Sequence, residues 1–73
     1  MDQAAILRRV GSNLRAARLR AGLSQEELGF ATGLDRTYIS GIERGVRNPT
    51  VVALAKLALG LGLSVADLVA AIP

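Results

Sequence analysis

The chain contains neither cysteine nor histidine. The first absence rules out a disulfide framework and any thiolate metal site. The second removes the commonest general base, the usual imidazole metal ligand and every Ser-His-Asp or Cys-His constellation. Carboxylates are sparse, six along 73 residues, and the adjacent two, Glu26 and Glu27, fall on different flanks of any helix. Catalysis has almost nothing to work with, so neither an enzyme nor a bound cofactor or metal is expected. Tryptophan is absent, and Phe30 and Tyr38 are the only aromatics. No internal repeat, low-complexity tract or strand pattern occurs. Residues 1–73 read as a single small domain, which buries only about 60% of its unfolded surface and has modest stability as a lone monomer.

What is abundant is arginine. Eight arginines and one lysine give a formal net charge of +3 and a pI near 10.7, and every arginine precedes Pro49. That imbalance favours a polyanionic partner. Met1-Asp2-Gln3 is not a basic leader and Arg8-Arg9 interrupt any apolar core, so a cytoplasmic protein is expected.

Apolar periodicity and capping residues divide the chain into five helices. Ile6, Leu7, Val10, Leu14, Ala17 and Ala21 form one stripe of a long first helix, closed near Gly22. Gly11 lies inside it at a cost of about 1 kcal/mol relative to alanine, which marks a weak or closely packed point. Ser24 with Glu27 has the spacing of a capping box and opens a second helix, on which Leu28 points inward. Thr32-Gly33-Leu34 breaks that helix, and Asp35 caps a third, expected over residues 35–44. After a loop at Val46-Arg47-Asn48-Pro49, Thr50 caps a fourth helix reaching about Leu61. Gly60 and Gly62 end it, and Ser64 with Asp67 starts a fifth, expected to extend to about Ile72.

The segment 24–44 is the informative one. Two short amphipathic helices joined at Gly33 make a helix-turn-helix. On the second of them Ile39 and Ile42 define a buried edge, and Arg36, Thr37, Ser40, Gly41 and Arg44 fall together on the other side. Arginine donates two parallel hydrogen bonds to guanine O6 and N7, and threonine bonds a base edge or touches the thymine methyl. Arg36 and Thr37 occupy the first turn, the part that such motifs insert deepest into the major groove. Gly41 is expected to leave room for close approach. Solvated surface charge is the alternative for Arg36, Arg44 and Arg47 taken singly.

From Leu14 to Leu68 the chain resembles the Cro/C1-type helix-turn-helix family of phage repressors and small bacterial regulators. The matching residues are Arg18, Gly22-Leu23-Ser24-Gln25, Glu27-Leu28, Gly33, Ile39-Ser40, Ile42-Glu43-Arg44-Gly45, Arg47-Asn48-Pro49, Leu63-Ser64 and Leu68. The run Leu34-Asp35-Arg36-Thr37-Tyr38-Ile39-Ser40-Gly41-Ile42-Glu43-Arg44 is most similar to controller proteins of restriction-modification systems. The resemblance implies a five-helix, lambda-repressor-like all-α domain that reads DNA. By the same resemblance, Arg36 and Thr37 match base-reading positions, and Gln25 matches a phosphate-binding position at a helix start. Tyr38, Ser40, Arg44, Arg47 and Asn48 match positions that flank or grip the sugar-phosphate backbone, and Arg18 and Glu43 match a structural ion pair. The sequence departs from the family at Gly29, where alanine is usual, at Thr32, which stands to loosen packing behind the turn, and at Phe30, where many members are polar. Phe30 is expected in the core.

Residues 51–73 hold only Lys56 and Asp67 as charges. A membrane span there is rejected, because each charge costs about 2.5 to 3.5 kcal/mol near the bilayer centre and Gly60, Gly62 and Ser64 break the run. Leu57, Leu61, Leu63 and Leu68 instead close the core. Val65, Val69 and Ile72 recur at helical spacing within a dimerisation region of about residues 51–72 and are the expected subunit interface. A twofold dimer places two recognition helices in successive major grooves about 34 Å apart, on an inverted repeat. The expected partners are double-stranded DNA, a second copy and RNA polymerase. The alternative is an antitoxin-type or phage repressor-like regulator whose main partner is a protein.

Overall fold

The structure, a computed structural model, describes residues 2–72. They form α1 (Gln3–Arg20), α2 (Gln25–Thr32), α3 (Arg36–Glu43), α4 (Val51–Leu61) and α5 (Val65–Leu68), with no strand among the described residues. Both expected capping boxes are present. Ser24 Oγ accepts from the Glu27 amide at 3.0 Å while Glu27 Oε1 accepts from the Ser24 amide at 2.9 Å, and Ser64 with Asp67 repeats the exchange. Asp35 and Thr50 cap α3 and α4 as the spacing predicts. Gly33, at φ +73°, supplies the left-handed residue that lets α2 stop and α3 leave at an angle.

One apolar core serves all five helices. Leu14, Leu28, Ile39, Ile42, Leu57 and Leu68 are fully buried, joined by Val10, Leu54 and Ala58. The recognition helix α3 packs on both α1 and α2, α2 also packs on α4, and α5 closes the ring between α4 and α1. No helix among the described residues is long and apolar enough to cross a membrane.

Two helical glycines prove to be packing devices. At Gly11 an added Cβ would lie 2.3 Å from the Ile42 carbonyl oxygen and 2.6 Å from that of Glu43, so α1 meets the end of α3 backbone to backbone. At Gly29 an added Cβ would lie 2.8 Å from the Leu34 carbonyl oxygen, so α2 also comes close to the backbone leading into α3. Thr32 does not loosen the turn. Its hydroxyl donates to the Leu28 carbonyl at 2.7 Å, and its methyl fills the space left by the missing side chain of Gly60 on α4.

Two other expectations are corrected. The last helix ends at Leu68 rather than near Ile72, because Asn13 Nδ2 donates to the carbonyls of Leu68 at 3.1 Å and Ala70 at 2.8 Å, and Ala71 turns to φ +64°. Phe30 is not in the core but 82% exposed. The Ser24 cap sets the phase of α2, and Phe30 follows the buried Leu28 by two residues, about 200° around the helix at 3.6 residues per turn.

Gly11→Ala is expected to destabilise the domain by about 1–3 kcal/mol, because overpacking against rigid backbone outweighs the gain in helix propensity. Chemical denaturation measures this, and a variant as stable as the parent would contradict the contact. The capping carboxylates give a pH dependence. Hydrogen bonds from the Ser24 and Ser64 amides hold the Glu27 and Asp67 carboxyls below their ordinary pKa values. Their stabilisation is therefore present above the ordinary carboxylate range and is lost as pH falls through the lowered values. In Glu27→Gln the acid limb of a pH-dependent melting series is expected to flatten, and an unchanged limb would count against the box.

Candidate nucleic-acid interface

The geometry is set by a network around Glu43, the last residue of α3. Arg18 of α1 donates to it twice, from Nε to Oε2 at 2.7 Å and from Nη2 to Oε1 at 2.9 Å. The third guanidinium nitrogen, Nη1, donates to the Leu23 carbonyl at 2.8 Å, and Gln25 Nε2 adds a bond to Glu43 Oε1 at 3.2 Å. The C-terminal end of α3 is thereby tied to α1, to the connection after it and to the first turn of α2. Arg18 is only 8% exposed. Its hydrogen bond to Glu43 raises the guanidinium pKa against the opposing effect of burial, and the carboxylate charge adds to the rise. The buried ion pair expected from the sequence is present.

With its far end held, α3 presents its near end to solvent. Arg36 and Thr37 are both exposed in its first turn. The Thr37 amide is occupied by the Asp35 cap at 2.7 Å, and its exposed side chain has no hydrogen-bond partner among the described residues. Arg36 and Gln25 line one open cleft of about 510 Å³, bordered also by Arg18, Ser24 and Glu26, so the starts of α2 and α3 open onto common space. Those two starts carry the partial positive ends of the helix dipoles. Gln25 is half-buried, with one amide hydrogen committed to Glu43 and the other still available.

The remaining residues surround this cleft unevenly. Arg44, Arg47 and Asn48 are exposed, and Ser40 is half-buried. Tyr38 is half-buried, packed on the core, with its hydroxyl accepting from the Thr50 amide at 3.4 Å. Gly41 is not on the outer face as the spacing suggested. It is buried beneath the Arg47 stem, whose Cγ lies 2.4 Å from where a Cβ would stand. The glycine makes room for a neighbouring arginine rather than for an outside partner. Val65, Val69 and Ile72 are half-buried and pack against the core, while Val51, Val52 and Leu59 of α4 are the strongly exposed aliphatic residues of this half. Asn13, which ties α5 to α1, had no signal in the sequence, since both its acceptors are main-chain carbonyls more than fifty residues away.

The HTH_3 helix-turn-helix family matches residues 14–68. The chain belongs to the Cro/C1-type helix-turn-helix family. This regulator is 48% identical over 60 residues to the HTH-type transcriptional regulator y4dJ of Sinorhizobium fredii, covering 82% of this chain and 78% of that one. It is 44% identical over 59 residues to the control protein C.BamHI of Bacillus amyloliquefaciens, covering 80% and 73%. Among solved structures it is similar to the restriction-modification controller protein C.AhdI from Aeromonas hydrophila, with a TM-score of 0.85 and 47% identity over 88% of this chain and 97% of that one. Its five-helix fold therefore matches that of a solved restriction-modification controller protein.

Removing Glu43 leaves Arg18 charged and without its partner. A deep pair would lose 3–5 kcal/mol. In a domain of radius of gyration 10.9 Å no site lies far from water, and that screening brings the expected cost of Glu43→Ala to about 2–3 kcal/mol. Denaturant titration of this variant beside an Arg18→Met/Glu43→Leu double variant checks the assignment. The double variant is expected to be the more stable, and the reverse order would contradict a buried, mutually dependent pair.

Proposed function

We propose that the regulator binds an inverted-repeat operator as a homodimer and serves as a restriction-modification controller protein. The observation that carries this reading is the pairing of two features: Arg36 and Thr37 stand free at the start of α3, and the other end of that helix is clamped by Arg18 and Glu43. Recognition requires side chains held at a fixed angle to the groove, and a helix anchored away from its reading end meets that requirement.

In this reading Arg36 recognises guanine through paired donors, and Thr37 contacts a neighbouring base. Gln25, Tyr38, Ser40, Arg44, Arg47 and Asn48 set register through the sugar-phosphate backbone. The subunit contact lies on the α4–α5 half. Val52 and Leu59, seven residues apart, share an outward stripe of α4, with Leu59 83% exposed, and the uncovered parts of Val65, Val69 and Ile72 belong to the same half. Burying such residues between two copies removes apolar surface from water and sets the spacing of the two recognition helices. RNA polymerase is then the machinery whose access or recruitment operator occupancy would alter. The controller role itself is supported by similarity to control proteins such as C.BamHI and C.AhdI.

Selection of bound DNA from a random pool tests the proposal. The parent chain is expected to enrich a twofold-symmetric sequence with half-sites about one helical turn apart. Arg36→Ala is expected to lose about 1–3 kcal/mol on that sequence and to flatten the preference at one base pair of each half-site. Enrichment of no sequence by the parent, or equal weakening of the variant on all DNA, would overturn the assigned role.

A further inference from the structure

α1 carries five arginines and no carboxylate along its eighteen residues. Arg18 is spent on Glu43, and this is the one ion pair among the described residues. Arg8, Arg9, Arg15 and Arg20 are exposed. Two of them share an edge. Arg8 and Arg15 are seven residues apart, two helical turns and about 10.5 Å along the axis, and their bearings differ by only about 20°. Gly11, between them, marks where that edge meets α3, since its missing side chain admits the carbonyls of Ile42 and Glu43. Arg8 itself lies against Gly45, with its Cγ about 3.0 Å from the position of an added Cβ. One residue before Gly45 is the exposed Arg44, and Arg47 covers Gly41 a turn earlier. The cationic surface therefore continues past the end of the recognition helix and onto α1.

We propose that Arg8 and Arg15 form a second phosphate-gripping edge, which extends the contact with duplex DNA beyond the stretch held by Gln25, Arg44 and Arg47. The inference rests on the DNA-binding reading above. Uncompensated, exposed guanidinium groups continuous with a basic reading surface suit the regularly charged duplex backbone, and they carry no sequence information. A purely structural role is the competing explanation, because cations beside the carbonyl end of α3 also complement its dipole. That role affects stability and leaves the salt dependence of binding unmoved.

The test measures DNA affinity of the full chain against salt concentration, on the selected sequence and on unrelated duplex. Arg8→Gln/Arg15→Gln is compared with Arg20→Gln/Lys56→Gln, which removes the same charge from other faces; glutamine keeps most of the stem that packs on Gly45. The first variant is expected to reduce the slope of log affinity against log salt by about two per chain, with base preference unchanged. The second is expected to keep the parent slope. Arg15→Gln alone, which leaves the Gly45 contact intact, is expected to reduce it by about one if the double variant folds poorly. Parent-like slopes for Arg8→Gln/Arg15→Gln and for Arg15→Gln, or equal reductions in both double variants, would overturn this proposal alone. Absence of any sequence preference in the parent would overturn the reading beneath it.

Discussion

Arg18 and Glu43 stand 25 residues apart in the chain and 2.7 Å apart in the fold, and that contact ties the end of α3 to α1. A guanidinium group offers a rigid planar fork, and here every branch of it is used: two donors on the carboxylate and one on the Leu23 carbonyl. The planar geometry transmits orientation as well as attraction. Because Gln25 joins the same carboxylate, the first turn of α2 is positioned relative to the last turn of α3 by side chains rather than by the short turn between them.

Backbone proximity does the rest. An ion pair at the end of a helix can fix its direction only if the neighbouring helix approaches closely, and Gly11 provides that approach by letting α1 touch the carbonyls of Ile42 and Glu43. Gly29 has the same effect at the other crossing, beneath Leu34. Each glycine sacrifices some helix propensity. The return is a rigid three-helix corner from a domain too small to obtain rigidity from a large core.

Charge is distributed to match. Acidic residues are used for caps and for the internal clamp: Asp2, Asp35, Glu27 and Asp67 accept from backbone amides and Glu43 from Arg18. The exposed arginines are consequently left without partners on α1, at the start of α3 and in the following loop. A modest net charge thus leaves unpaired cations at the start of α3, in the loop after it and along the Arg8–Arg15 edge of α1. Field strength at a surface depends on such local arrangement more than on the total.

The helix count, the caps, the turn at Gly33 and the inward edge of Ile39 and Ile42 were legible in the sequence, because capping and amphipathic spacing act over three or four residues. The exposure of Arg36 and Thr37 followed from the same periodicity. The clamp was legible only through resemblance, since spacing along a chain says nothing of which distant carboxylate an arginine will meet. Tertiary structure alone decided that Gly41 lies under Arg47, that Asn13 shortens the last helix by taking its carbonyls, and that Thr32 fits against Gly60. Phe30 stands between the two cases: general apolar preference sent it inward, whereas the phase set by Ser24 and Leu28 already pointed it out. Local hydrogen bonding is written in neighbouring residues. The occupants of a close contact are chosen by elements that meet only when the chain is folded.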